Sequence, residues 1–254
     1  MKIRYLIAAI PLLISSAIAQ IGQSKIGSAS VGSAFALPAG PTINNAWKNF
    51  TASSPGTCTV APTAGHALVV AVMGSDTQTP GSLPSVSDNI DGTTGWNKAT
   101  GRTNSLSGYS MVTYLFYKFN IASGVTTITA SGSAINNIEI IVHDVSNISA
   151  FTSTEISNAS GTSTTNPQVG AVNNGTANSI YFAAVDNDDS DSFTINQTGT
   201  TGTWNHFSAN SHEDNGTFTV SSVPNLVVTS SASRGHGWGM AAPHNTAQCL
   251  AIFH

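Results

Sequence analysis

What most constrains this chain is its punctuation. Short apolar runs recur along it, each bounded by Gly, Asn, Pro, Ser or Asp, and none reaches helical length. Ala67 to Met73 is continuously apolar between Gly65 and Gly74, as in a strand covered on both faces. Tyr109 to Phe119 puts Met111, Leu115 and Phe119 on one face and Val112, Tyr114 and Phe116 on the other, a long central strand. Ile138 to Val145, Ser179 to Val185, Leu226 to Thr229 and Gln248 to Phe253 behave alike. Val125 to Ala130 and Thr217 to Ser221 alternate, as outer or edge strands do. No long stretch carries a 3.6-residue period. About ten strands or more with turns between them predict an all-β fold, two packed antiparallel sheets in an Ig-like or jelly-roll sandwich over residues 47–254. The Ser/Thr/Asn-rich stretch from Thr152 to Asn174 reads as a long loop with one weak strand.

Charge narrows the function. Only 8% of the 254 residues are charged, against roughly 25% in ordinary soluble domains. Ser, Thr, Asn and Gly take their place, which excludes salt-bridged helical bundles and coiled coils. A net charge of −4 with no Lys/Arg cluster speaks against nucleic acid as a partner.

Residues 1–19 read as a secretory signal peptide, with an uncleaved N-terminal anchor as the alternative. Lys2 and Arg4 form its basic start, Tyr5 to Ile14 its apolar stretch, and Ala17-Ile18-Ala19 its small-residue cleavage site before Gln20. After cleavage no apolar run is long enough to span a membrane, so the expected location is secreted or cell-surface. Residues 20–46 read as an extended lead-in. Ile21-Gly22, Ile26-Gly27 and Val31-Gly32 open three copies of a five-residue repeat. The segment is either a flexible tether or a strand offered to a neighbouring copy.

Cys58 and Cys249 are the two cysteines. In an oxidising compartment such a pair is expected to form a disulfide, and closing a loop of roughly 190 residues would stabilise the fold by about 5 kcal/mol. The alternative is two buried thiols in separate strands.

Three stretches carry a resemblance. Gly65 to Val72 is followed by Ser85 to Trp96; Tyr114 to Tyr117 leads through Val125 to Thr129 into Ile138 to Val142; Asn178 to Val185 closes the set. Together they resemble uncharacterised secreted or surface β-sandwich modules of bacteria and phages. The resemblance implies the fold and carries over no catalytic residue.

Candidate chemistry is sparse. Asp186, Asp188, Asp189 and Asp191 crowd six positions after an apolar run. Such carboxylates either share a cation, Ca²⁺ suiting flexible oxygen ligands, or stand solvated in a loop. Asp88 and Asp91 beside Gly92 fit a turn in which Asp caps its own backbone. His206 and His212, with Glu213 and Asp214 nearby, form a looser metal-type set. In Arg234-Gly235-His236-Gly237-Trp238-Gly239, large side chains alternate with glycine. An extended strand would set Arg234, His236 and Trp238 on one face, either to stack on a sugar ring or because the glycines lie close against another backbone.

Glu139 and His143 share a face of one strand, but four residues separate them by about 13 Å. No serine-hydrolase elbow, zinc helix, P-loop or dinucleotide fingerprint occurs. The function expected from all this is a non-catalytic module for surface adhesion, glycan binding or assembly with copies of itself. An extracellular carbohydrate-active enzyme and a fibre or sheath subunit joined by its N-terminal strand are the rivals.

Overall fold

A strand that is apolar on both faces needs cover on both sides, and the computed structural model supplies it by stacking sheets. It describes residues 39–76, 83–105, 110–132, 135–175, 178–188, 194–195, 204–207, 211–214, 217–229 and 233–254, within a unit spanning Pro38–His254. The signal peptide and the five-residue repeat lie outside the described residues. Among the described residues there are seventeen strands and no helix, so the fold is all-β.

The first half holds β1 (Thr42–Ser53), β2 (Gly56–Thr59), β3 (Ala67–Asp76), β4 (Ser85–Asp88), β5 (Asn97–Ser105), β6 (Ser110–Lys118), β7 (Thr127–Ser131) and β8 (Ile135–Ser146). The second holds β9 (Phe151–Thr164), β10 (Gln168–Asn173), β11 (Ser179–Asn187), β12 (Thr194–Ile195), β13 (Asn205–Phe207), β14 (Ser211–Asp214), β15 (Thr217–Val228), β16 (Ser233–Gly239) and β17 (His244–Phe253). Strand β1 starts inside the stretch read as the lead-in. The stretch from Thr152 to Asn174, read as a long loop, is mostly β9 and β10.

Two packed sheets were expected, and the described residues form four. In the first half a five-stranded sheet has the order β1-β8-β3-β6-β5 and a three-stranded sheet the order β2-β7-β4. In the second half the large sheet runs β9-β17-β11-β15-β13, with β14 also on β15, and the small sheet runs β10-β16-β12. Counting strands afresh from β9 and passing over β14, which only extends the pairing along β15, the two orders coincide: the chain carries the same arrangement twice. Every strand pairing among the described residues is antiparallel, and the central registers match in kind. Ala67 faces Val145 and Val69 faces His143 in the first half; Ile180 faces Phe253 and Phe182 faces Ala251 in the second. A sequence echo accompanies the repeat, since Gly92-Thr93-Thr94-Gly95-Trp96-Asn97 recurs as Gly199-Thr200-Thr201-Gly202-Thr203-Trp204-Asn205.

Three apolar cores follow from the two-residue alternation of strands. On β3, Leu68, Val70 and Val72 meet Cys58, Val86 and Ile128 of the small sheet. The other face of the same strand, Val69, Ala71 and Met73, meets Ile180, Phe182, Ala184 and Ala251 of the second large sheet. Beyond that sheet, Tyr181, Leu250 and Ile252 pack with Val169 and Trp238 of the outer small sheet. The order of layers is small, large, large, small.

The middle core is aromatic at one end. Tyr117, Phe119, Phe151, Phe182 and Phe253 stand with ring centroids 5.0 to 6.0 Å apart, spacings at which aromatic pairs attract. Elsewhere the two large sheets are joined by polar bonds. Asn104 Nδ2 donates to the carbonyls of Gly161 (2.9 Å) and Thr246 (3.0 Å), and Thr113 Oγ1 donates to that of Ala247 (3.0 Å).

The layering also explains the cysteines. Cys58, on β2, lies in the outer core of the first half, and Cys249, on β17, lies in the middle core. The first large sheet stands between them. Both are free and buried, so the expected disulfide gives way to the alternative of two separate thiols. Burial pushes the Cys58 thiol up to about 11 and that of Cys249 higher still, leaving almost no thiolate at neutral pH. A thiol reagent should therefore label neither cysteine in the native protein and both after denaturation. A reductant should leave the melting temperature unchanged.

Candidate functional site

Strand β16 is extended, with Arg234, His236 and Trp238 alternating with glycine, but its large side chains turn inward. His236 and Trp238 have no exposed surface. His236 sits between two indoles, its ring 4.7 Å from Trp204 and 4.6 Å from Trp238. Only Arg234 reaches the edge, where its Nη1 donates to the Ser233 carbonyl. No open sugar platform exists here, because this face is part of the outer core. The glycines answer to the other need: a Cβ on Gly235 would come within 3.0 to 3.2 Å of the backbone of Val169 and Ala171.

Of the four aspartates expected to share calcium, Asp186 and Asp188 are among the described residues. Asp186 lies within β11, buried and facing the middle core. Asp188 accepts from the Asn245 backbone amide (2.9 Å) and side-chain amide (2.6 Å), tying the end of β11 to the start of β17. Asp189 and Asp191 lie outside the described residues. Among the described residues, no group of three or more His, Cys, Asp or Glu is placed to hold a metal ion. His206 and His212 fall on separate strands, β13 and β14, both paired to β15.

Glu139 and His143, on β8, face the same middle core as Asp186. Burial raises the Asp186 carboxyl well above its usual range, and the nearby Glu139 adds to this. Neither oxygen of Asp186 makes a well-formed hydrogen bond. Burial has the opposite effect on His143, lowering it to about 3 and keeping the imidazole neutral.

One arrangement with the parts of a catalytic relay does form, from residues with no sequence signature. Ser179 opens β11, His254 follows β17, and Glu155 lies on β9. Ser179 Oγ stands 2.8 Å from His254 Nδ1, and His254 Nε2 bonds to Glu155 Oε2. With the carboxylate accepting from Nε2–H, Nδ1 of a neutral imidazole accepts from the serine hydroxyl. The two ring nitrogens are exchanged relative to the hydrolytic Ser-His-acid template. Asn174 Nδ2 also donates to Ser179 Oγ at 3.1 Å, and Ser179 has no exposed surface. A substrate carbonyl has no approach, so the relay works as a clasp from β11 to β17 and β9.

The first half has a clasp at the corresponding corner. His66, just before β3, meets the buried Asp144 of β8 at 2.7 Å, and Asp144 also accepts the Thr63 amide at 3.0 Å. Only comparison of the two halves would have drawn attention to these pairs.

Comparison with known proteins finds no matching family, no matching curated protein and no matching solved structure.

Two outcomes follow. Ser179→Ala should destabilise the fold by about 1–2 kcal/mol in chemical unfolding, the cost of a lost buried hydroxyl. Asp186 binds its proton more tightly folded than unfolded, so the stability it contributes is full below about pH 4 and is lost as pH rises. Asp186→Asn should therefore match wild type near pH 4 and gain on it at higher pH, by at most about 1.4 kcal/mol per unit. His143 acts the opposite way below about pH 6.5, but it is common to both proteins and cancels in the difference.

Proposed function

We propose that the chain is an exported, non-catalytic module for surface adhesion or extracellular assembly, built from two jelly-roll halves stacked through their large sheets. In support of this reading, the strand orders β1-β8-β3-β6 and β2-β7-β4 follow seven of the eight strand positions of a jelly roll. Strand β5 joins β6 instead of β4, and the second half repeats the plan.

The observation that carries the functional reading is the edge strand β9. Among the described residues it has a single paired neighbour, β17. Eight of its fourteen residues are Ser or Thr, and none of the fourteen is buried. An edge of this kind offers unpaired backbone groups together with a row of hydroxyls. Both suit hydrogen bonding to a glycan or to a strand of another copy. The low charge of the chain suits neutral partners of this sort. No helix among the described residues is long and apolar enough to cross a membrane.

The rival, an extracellular carbohydrate-active enzyme, would need an accessible carboxyl pair. Glu139 is buried and Glu155 is engaged by His254. Reducing sugar released from a polysaccharide panel and lost on replacing Glu139 would favour that rival.

A glycan array and electron microscopy of the purified protein test the proposal. Binding or filaments are expected, weakened about tenfold or more (about 1.4 kcal/mol) by Thr154→Lys at unchanged melting temperature. Inert monomers in both experiments would overturn it.

A further inference from the structure

Asp88, the last residue of β4, and Lys118, the last of β6, meet beside the indole of Trp96. Lys118 Nζ lies 2.7 Å from Asp88 Oδ2 and 2.8 Å from Asp91 Oδ2, and 5.9 Å from the Trp96 ring centroid. The Asp88 side chain is fully buried and that of Lys118 is 6% exposed, whereas Asp91 is 40% exposed. Asp88 Oδ1 accepts the backbone amides of Ile90 (2.9 Å) and Asp91 (2.7 Å), and Oδ2 accepts Trp96 Nε1–H (2.9 Å).

The expected Asp turn is therefore present, with more built around it than a turn requires. Burial opposes both charges, yet the hydrogen bonds of the ion pair outweigh it. Asp88 is held below and Lys118 above its ordinary value. Even so, a buried ion pair gives up much of its attraction to desolvation. An amide joining the same two side chains keeps their positions and removes both charges.

The surroundings supply what that condensation needs. The amine lies against the carboxyl. A second carboxyl, Asp91, touches the amine and reaches solvent, as a proton carrier must. Two backbone amides point at Asp88 Oδ1, where negative charge collects as the carbon becomes tetrahedral.

We propose that Lys118 and Asp88 condense into an intramolecular isopeptide bond, with Asp91 carrying the protons. The ammonium of Lys118 passes a proton to Asp91, and the freed amine attacks Asp88 Cγ. Two of the three ammonium protons travel through Asp91 to Oδ2, which leaves as water, and the third stays on the amide nitrogen. One C–N bond forms and one C–O bond breaks. The charges of the pair cancel before and after, and nothing is oxidised or reduced. Because the reaction starts from the minor neutral pair, the bond forms slowly after folding. It joins the small sheet to the large one in the first half. The second half has Leu226 opposite Tyr181 where the first has Lys118 opposite Leu68, so the linkage belongs to the first half alone.

Intact mass spectrometry and peptide mapping of the purified, aged protein test this, with chain ends assigned from the map. The expected result is a mass one water below that of the sequence. The peptide containing Asp88 should be joined to that containing Lys118, with no tryptic cleavage after Lys118. Lys118→Arg and Asp91→Ala should each keep the full mass, with the strand signature intact in circular dichroism. A full wild-type mass after prolonged incubation would overturn the proposal. Loss of water with separate linear peptides would do the same, since ring closure at Asp91-Gly92 then accounts for it. A linked Asp91→Ala protein would overturn the role given to Asp91.

Discussion

Double-sided burial of the large sheets is the constraint on which the remaining structure depends. Val69 and Val70 are neighbours on β3, yet they belong to different cores, and the same holds for Tyr181 and Phe182 on β11. A sheet that is apolar on both faces cannot end a protein; it must be covered twice. Each half supplies one cover with its three-stranded sheet, and the other half supplies the second. A half left alone would expose the whole face that includes Leu115, Ile141 and Val145.

That arrangement also accounts for the polar groups in the interior. The middle core joins two large sheets through rings at one end, aliphatic side chains of β3 and β11, and side chains that bind carbonyls. Asp186, Glu139 and His143 sit in this layer as neutral or mutually unfavourable groups. Burial in that layer raises the Asp186 carboxyl, whereas the clasps at His66 and His254 give each polar partner a hydrogen bond. The same residue types thus meet different surroundings according to the layer they face.

Much of the strand plan was legible. The runs at Ala67, Ile138, Ser179 and Gln248 are strands because each is apolar without interruption between turn residues, and the Asp88 turn follows from its own side-chain chemistry. The layering was not legible. Periodicity says that β3 is buried on both faces but not by what, so the number of sheets and the separation of Cys58 from Cys249 were out of reach. The repeat shows in the sequence at the Gly-Thr-Thr-Gly approach to Trp96 and Trp204. The face of Arg234, His236 and Trp238 was read as a strand face, yet alternation cannot tell an outward face from an inward one when glycine fills the opposite side. The clasp residues Ser179, Glu155 and His254 are far apart in sequence and meet only through the pairing of β11, β17 and β9.

The polar seam between the halves is lopsided. Asn104 and Thr113 contribute side chains that Gly161, Thr246 and Ala247 receive through main-chain carbonyls; Ser160, which accepts from Arg102 Nη2 at 3.0 Å, receives through its side chain. A carbonyl is present whatever residue bears it, so Thr246 can lose its hydroxyl without breaking its link, although a Cβ on Gly161 would come within 2.5 Å of Thr164 Cγ2. The donors have no such latitude. The seam therefore depends on Asn104 and Thr113 for their side chains, and on Thr246 and Ala247 for their backbone alone.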